Sequence, residues 1–380
     1  MINVLYLNFA STNFDGATYS LMDLIRSVRK WVNPIVLLRS TGCVYDYFKE
    51  NGVECIVHEF EENLVGIPKK PHQYVRYALD YIPHILRYNR KNRECARSVA
   101  SQLNGRNIQI VHTNNSVLSV GVQIAKELHA KHVWHLRGFM DLDFGWMPLK
   151  GWKSYREEIM ESNAVIGITQ AVLEHHISPS CPNAYVVFDA VRSEHDTSML
   201  FPKEKYFLFC AGLLSDQKGC SFAIKAFARS GMAAQGYRLR VIGDSNIKYL
   251  KKIKRLAENE GISASVDFMG RTHSVREHME KATAFLMCSE HEGLGRVSIE
   301  AMFYGCLVLG RNSGGTKEFV LDGKTGYLFN NIDECASLMH DIDKCDLHKI
   351  VQNAQQFACS HFAIEHYGEK IMDIYNHILQ

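Results

Sequence analysis

Short apolar runs alternate with longer segments in which apolar residues recur every three or four positions, along the whole chain. Runs without internal alternation are typical of strands buried on both faces, and the segments between them have the period of amphipathic helices. This pattern predicts strands in the first half at residues 4–7, 35–38, 55–57, 108–111, 132–136, 165–168 and 185–188. A polar stretch from 192 to 205, containing Pro202, interrupts the alternation and is the expected domain boundary. A second series follows at 206–210, 239–242, 266–269, 285–287, 307–309 and 327–329. Strands and helices in this order wind parallel sheets. The expected fold class is therefore α/β, with two Rossmann-like, doubly wound parallel-sheet domains at residues 1–195 and 203–360. Ligands of such sheets bind beyond the carboxyl ends of the strands, so two of these domains facing each other would form a central cleft.

With 380 residues and 46% apolar content, the chain has enough material for two buried cores. Its formal charge of +2 gives no global pull toward nucleic acid or membrane, so any electrostatic preference is local, and no nucleic-acid partner is expected. The eleven cysteines have no CxxC or CxH spacing and read as buried free thiols of a reducing cytosol. No apolar stretch approaches the roughly 20 residues that span a bilayer. The N-terminus opens directly on a strand without a signal peptide, so a cytoplasmic location is expected.

The most informative stretch is Ser289-Glu290-His291-Glu292-Gly293-Leu294-Gly295-Arg296-Val297-Ser298-Ile299-Glu300-Ala301-Met302, which follows a buried strand and opens a helix. Gly293 and Gly295 let backbone amides approach a ligand, and the helix beginning near Arg296 turns its positive end to the same place. Such a loop suits phosphate and sugar oxygens. Glu292 on the loop and Glu300 on the helix can accept hydrogen bonds from different hydroxyls of one polyhydroxylated ligand. Either glutamate taken alone reads more simply as a solvated charge.

These residues, in the form E-G-x-G-x-x-x-x-E-A-M, resemble the signature of the retaining E-x7-E glycosyltransferases with the GT-B fold, the glycosyl transferases group 1. The resemblance continues in Gly314-Gly315-Thr316-Lys317-Glu318, in Asp322-Gly323-Lys324-Thr325-Gly326 and, upstream, in Gly212-Leu213-Leu214-Ser215-Asp216-Gln217-Lys218-Gly219. It implies transfer of a sugar from a nucleoside-diphosphate donor to a glycan or lipid-linked oligosaccharide, in surface polysaccharide assembly, without a metal or other cofactor. It also implies that a C-terminal helix at 361–380 crosses back to the first domain. Catalytic roles fall to His135, Lys218 and Glu292. In this reading Lys218 neutralises the leaving diphosphate, Glu300 takes the ribose hydroxyls, and Glu292 lies near the donor sugar and diphosphate. Gly16, Arg137, Gly270, Arg271, Gly293, Gly295 and Arg296 complete the implied donor site. For several of these an ordinary reading stands beside the functional one: a Lys-Gly pair forms solvated turns, a lone Gly16 marks a tight turn, and a strand-end His135 is often a core residue. The family's arginine beside the lysine loop is replaced by Leu213, and Arg137, Arg296 and Lys317 are the cations that could stand in.

Residues 69–97 mix lysines and arginines with Tyr74, Tyr77, Tyr81, Ile82, Ile85, Leu86 and Tyr88 at helical spacing. The segment reads either as a peripheral contact with the inner face of a membrane or as a helix with a solvated basic face. Pro83 argues against one uninterrupted helix. No Asp-x-Asp stands at a suitable strand end and no histidine set has metal spacing, so no metal site is expected. The competing functions are an epimerase or phosphorylase on the same architecture and a non-catalytic sugar-nucleotide-binding subunit, which Leu213 motivates. A nicotinamide dehydrogenase is disfavoured because no G-x-G-x-x-G follows the first strand.

Overall fold

The computed structural model describes residues 1–68, 70–178, 181–344 and 346–380, with all their side chains except those of Arg76 and Tyr77. The chain forms two compact units, Met1–Ala190 with His366–Gln380, and Val191–Glu365.

Strands of the first unit are β1 (Ile2–Leu7), β2 (Val32–Leu38), β3 (Glu54–Val57), β4 (Val65–Gly66), β5 (Ile110–Thr113), β6 (Lys131–Leu136), β7 (Trp146–Met147), β8 (Ala164–Gly167) and β9 (Ala184–Val186). Seven of them make a parallel sheet in the order β3-β2-β1-β5-β6-β8-β9. Val4, Leu5, Tyr6 and Leu7 of β1 are all fully buried, as expected for a strand covered on both faces. Each such side chain contributes roughly 1.5–3 kcal/mol by leaving water. The second unit follows with β10 (Glu204–Leu213), β11 (Arg238–Asp244), β12 (Val266–Gly270), β13 (Ala282–Met287), β14 (Leu307–Arg311) and β15 (Tyr327–Phe329). These strands are parallel in the order β12-β11-β10-β13-β14-β15. Phe207, Phe209, Leu239, Val241, Leu286 and Leu309 pack with Ala223, Ile224 and Phe227 in one core cluster.

Every strand expected from the sequence is present, although several ends move. Three features depart from the pattern read in the sequence. First, β4 and β7 pair antiparallel as a small ribbon, and two-residue strands leave no apolar run in the sequence. Second, Pro83 lies inside a continuous helix, Pro71–Gln102. The proline is exposed, so the carbonyl that loses its partner faces solvent instead of a packed neighbour. Third, the polar stretch after residue 191 belongs to the second unit. Within that unit Val191 N donates to Phe362 O at 2.9 Å, Ile364 N to Arg192 O at 3.0 Å, and Ser198 N to Phe303 O at 3.1 Å. The second unit runs to Glu365, and the return to the first begins at His366 rather than at 361.

Candidate active site

In the second sheet the strand order reverses between β10 and β13, so the loops leaving these two strands diverge and leave a crevice at their carboxyl ends. The loop after β10 carries Lys218, and the loop after β13 carries Glu292. Lys218 Nζ donates to Glu292 Oε2 at 2.9 Å, with the lysine side chain 44% and the glutamate 17% exposed. Glycine sets this approach. Gly219 has φ +82°, and a Cβ there would lie 2.4 Å from the Cys288 carbonyl oxygen, so only glycine lets the lysine turn rest on the end of β13. Ser289 Oγ donates to Gln217 O at 3.3 Å across the same seam.

A third loop closes the site from the β14 side. Gly315 N donates to the Glu292 carbonyl at 2.9 Å. At Gly314, φ +55°, a Cβ would come within 2.5 Å of that carbonyl oxygen. Gly293 and Gly295 are buried in the Glu292 loop, and Gly295 caps the helix Arg296–Phe303 with φ 77°. Lys218, Glu292, Gly293, Gly295 and Arg296 are thus gathered at one sheet edge. An ammonium, a carboxylate and the positive end of a helix in one crevice can take a diphosphate and a sugar hydroxyl together. Glu300 lies further along the helix, where its Oε1 accepts from Arg192 Nη2 at 2.9 Å. Gly270 ends β12 with φ 68° and open space beside it. Arg271 is 75% exposed, with Nη1 3.7 Å from Asp244 Oδ2.

Leu213 ends β10 and is 62% exposed, opposite Asp244 in the strand register. The three cations considered for its place differ. Lys317 is exposed on the turn Thr316–Glu318, Arg296 opens the helix after Gly295, and Arg137 belongs to the first unit.

The first sheet has its own reversal, between β1 and β5. Gly16 opens the helix Gly16–Val28 there, and Asp15 caps it by accepting from Thr18 N at 2.7 Å. Gly16 is exposed and a Cβ would meet nothing within 4 Å, so packing does not require glycine. His135 and Arg137 were expected to reach the donor, but both side chains are enclosed. Arg137 is 4% exposed and ion-paired with Asp189 Oδ1, and its Nε donates to Asn114 Oδ1 at 3.0 Å. Burial opposes the Arg137 charge, and Asp189 and Tyr367 more than offset it. His135 is fully buried; its Nδ1 lies 3.2 Å from His112 Nε2, and its Nε2 is 3.8 Å from Asp189. Burial, reinforced by neighbouring positive charge, holds both histidines well below the usual imidazole range, so they are neutral. The cluster continues through His112 Nδ1 to Tyr375 Oη at 2.7 Å, and through Asn114 Nδ2 to Asn8 Oδ1 at 3.1 Å. Sequence reading missed Asn8, His112, Asn114 and Asp189; asparagines placed just after β1 and β5 are the only local signal they leave. Among the described residues no group of three or more His, Cys, Asp or Glu side chains is placed to hold a metal ion.

Two parallel-sheet units of this construction define the class: the chain has the GT-B fold of glycosyltransferase structures. Anabaena HepE, solved in complex with UDP, superposes with a TM-score of 0.78 at 17% identity, covering 99% of this chain and 100% of that one. Residues 191–357 match the model of the family described as glycosyl transferases group 1, and the second unit belongs to that family. One relative is the Campylobacter jejuni GalNAc-alpha-(1->4)-GalNAc-alpha-(1->3)-diNAcBac-PP-undecaprenol alpha-1,4-N-acetyl-D-galactosaminyltransferase. It is 31% identical over 45% of this chain and 47% of its own length. The Salmonella typhimurium lipopolysaccharide 1,2-N-acetylglucosaminetransferase is 26% identical over 43% of this chain and 46% of its own. The chain thus spans about half the length of the curated relatives it matches.

Proposed function

We propose that this protein is a retaining, metal-independent glycosyltransferase that moves a sugar from a nucleoside-diphosphate sugar to a glycan or lipid-linked oligosaccharide during surface polysaccharide assembly. The observation that carries the reading is the Lys218–Glu292 pair, 2.9 Å apart beside the start of the helix Arg296–Phe303. A donor diphosphate entering there competes with Glu292 for the ammonium and gains a cation where negative charge develops as it leaves. The acceptor hydroxyl oxygen forms the new bond to the anomeric carbon as that carbon's bond to the diphosphate oxygen breaks. The acceptor proton passes to the departing phosphate oxygen. Lys218 stabilises the leaving group, Glu292 orients donor hydroxyls and Glu300 takes the ribose. The relatives' printed names, which include an undecaprenol-linked acceptor and lipopolysaccharide, support the acceptor class. A membrane contact through the helix Pro71–Gln102, at the cytoplasmic face, fits such an acceptor; Lys69 of the expected segment lies outside the described residues.

The test is a thermal-shift and donor-hydrolysis screen against UDP-, GDP- and ADP-sugars, with and without chelator, on the wild type and on Lys218→Ala and Glu292→Ala. We expect one donor to stabilise the protein and to be turned over insensitively to chelator. Each variant should lose on the order of 100-fold or more in turnover while melting normally. Near-normal turnover by either variant would remove the site assignment. Stabilisation without turnover, even with acceptors present, would favour a non-catalytic sugar-nucleotide-binding subunit, the reading suggested by exposed Leu213.

A further inference from the structure

Glu300 carries the ribose in the reading above, yet its carboxylate already has a cationic partner. Arg192 stands at the entry of the second unit, 108 positions away in sequence, and its Nη2 donates to Glu300 Oε1 at 2.9 Å. The arginine springs from a pinned stretch of backbone. Val191 N donates to Phe362 O and Ile364 N to the Arg192 carbonyl, at 2.9 and 3.0 Å. Its guanidinium lies 6.0 Å from the centre of the Tyr304 ring, and Tyr304 N closes the helical turn onto the Glu300 carbonyl at 3.0 Å. Tyr304 Oη donates to Asp196 Oδ2 at 3.0 Å, and Arg276 Nη1 donates to Asp196 Oδ1 at 2.5 Å. Arg192 Nε, 3.9 Å from Asp196, is buried without a hydrogen bond among the described residues. The side chains of Arg192 and Glu300 are nonetheless 37% and 20% exposed, so a ligand can reach the carboxylate while the arginine holds it.

We propose that Arg192 is a positioning residue for the donor nucleoside: by holding Oε1 of Glu300 it helps to fix the rotamer in which this carboxylate meets the ribose hydroxyls. This rests on the donor-site reading of the preceding subsection. A glutamate on an open helix face samples several rotamers, and a ligand that must order it loses affinity in doing so. The planar guanidinium, fixed by its backbone and by the Tyr304–Asp196–Arg276 cluster, does that ordering beforehand. A lysine offers one mobile ammonium in place of the fork and reproduces the arrangement only in part.

The test compares binding of UDP, GDP and ADP with binding of their 2′,3′-dideoxy forms, by calorimetry, in the wild type, Arg192→Ala, Arg192→Lys and Glu300→Ala. The wild type should prefer the ribose form of one base, and Glu300→Ala should abolish that preference. Arg192→Ala should shrink it by roughly threefold to tenfold, the scale of one ordered side chain, while dideoxy binding stays unchanged. Arg192→Lys should fall between. If Arg192→Ala weakens ribose and dideoxy forms equally, or leaves the preference intact while Glu300→Ala removes it, the Arg192 role is overturned and the donor site stands. A wild type indifferent to the ribose hydroxyls, or binding none of the three, overturns the donor-site reading, and the Arg192 role falls with it.

Discussion

At the residue scale the chain separates charges that face a ligand from charges that face one another. Lys218 and Glu292 are paired but partly exposed, so a diphosphate can compete for the lysine. Arg137 and Asp189 are 4% and 3% exposed, and their pairing compensates for two lost hydration shells. Arg137→Met should therefore destabilise the protein by about 3–5 kcal/mol in urea unfolding, because Asp189 is left buried and charged. Arg137→Met combined with Asp189→Leu should recover much of that loss. A single variant as stable as the wild type would show that this pair contributes nothing to folding. The two kinds of pair were not equally legible in the sequence. Glu292, Gly293, Gly295 and Glu300 form a local pattern whose spacing carries its chemistry. Arg137 meets Asp189 across 52 positions and Arg192 meets Glu300 across 108, and no local spacing encodes such meetings.

At the element scale, buried parallel strands were readable because they are continuous apolar runs, and β1 with its fully buried Val4 to Leu7 is the clearest case. The β4–β7 ribbon was not readable, since its residues have intermediate or exposed side chains and no periodicity. The helix Pro71–Gln102 was misread at Pro83 for a related reason: the cost of an interior proline depends on which face it occupies, and that is a tertiary fact. Its first turns expose Val75 at 62%, Leu79 at 73%, Ile82 at 66% and Leu86 at 64%, spaced four, three and four residues apart. None of the described side chains from 71 to 87 is buried. Such a stripe, with Arg87, Arg90 and Arg93 following, is suited to an anionic lipid surface. Leu79→Asp combined with Ile82→Asp should cut co-sedimentation with anionic liposomes at least several-fold and leave the melting temperature in place. Unchanged co-sedimentation would leave only a solvated helix.

At the scale of the whole molecule, acid stability is set by buried imidazoles. Burial pushes His132 down to about 3 and His176 down to about 4, and His112 and His135 are also held well below 6.5. Below pH 6.5 the unfolded chain binds protons that the folded chain refuses, so stability is level above that pH and falls beneath it. The cost is about 1.4 kcal/mol per pH unit for each such histidine. Thermal unfolding followed from about pH 7.5 to about pH 5 should show a steady drop that starts near 6.5, ahead of carboxylate titration. A flat profile across that window would mean that these histidines are not held neutral. All four belong to the first unit, which is also the unit assembled from two separate stretches of chain. Tyr375 Oη, 2.7 Å from His112, and Tyr367 Oη, 3.1 Å from Asp189, both come from the later stretch. On a translating ribosome the second unit, contiguous from Val191 to Glu365, can close as soon as it emerges. The first unit waits for the tyrosine hydroxyls that complete Asp189, His112 and Tyr6, the last reached by Tyr375 Oη at 3.2 Å, until residues 366–380 arrive, so the half synthesised first is the half completed last.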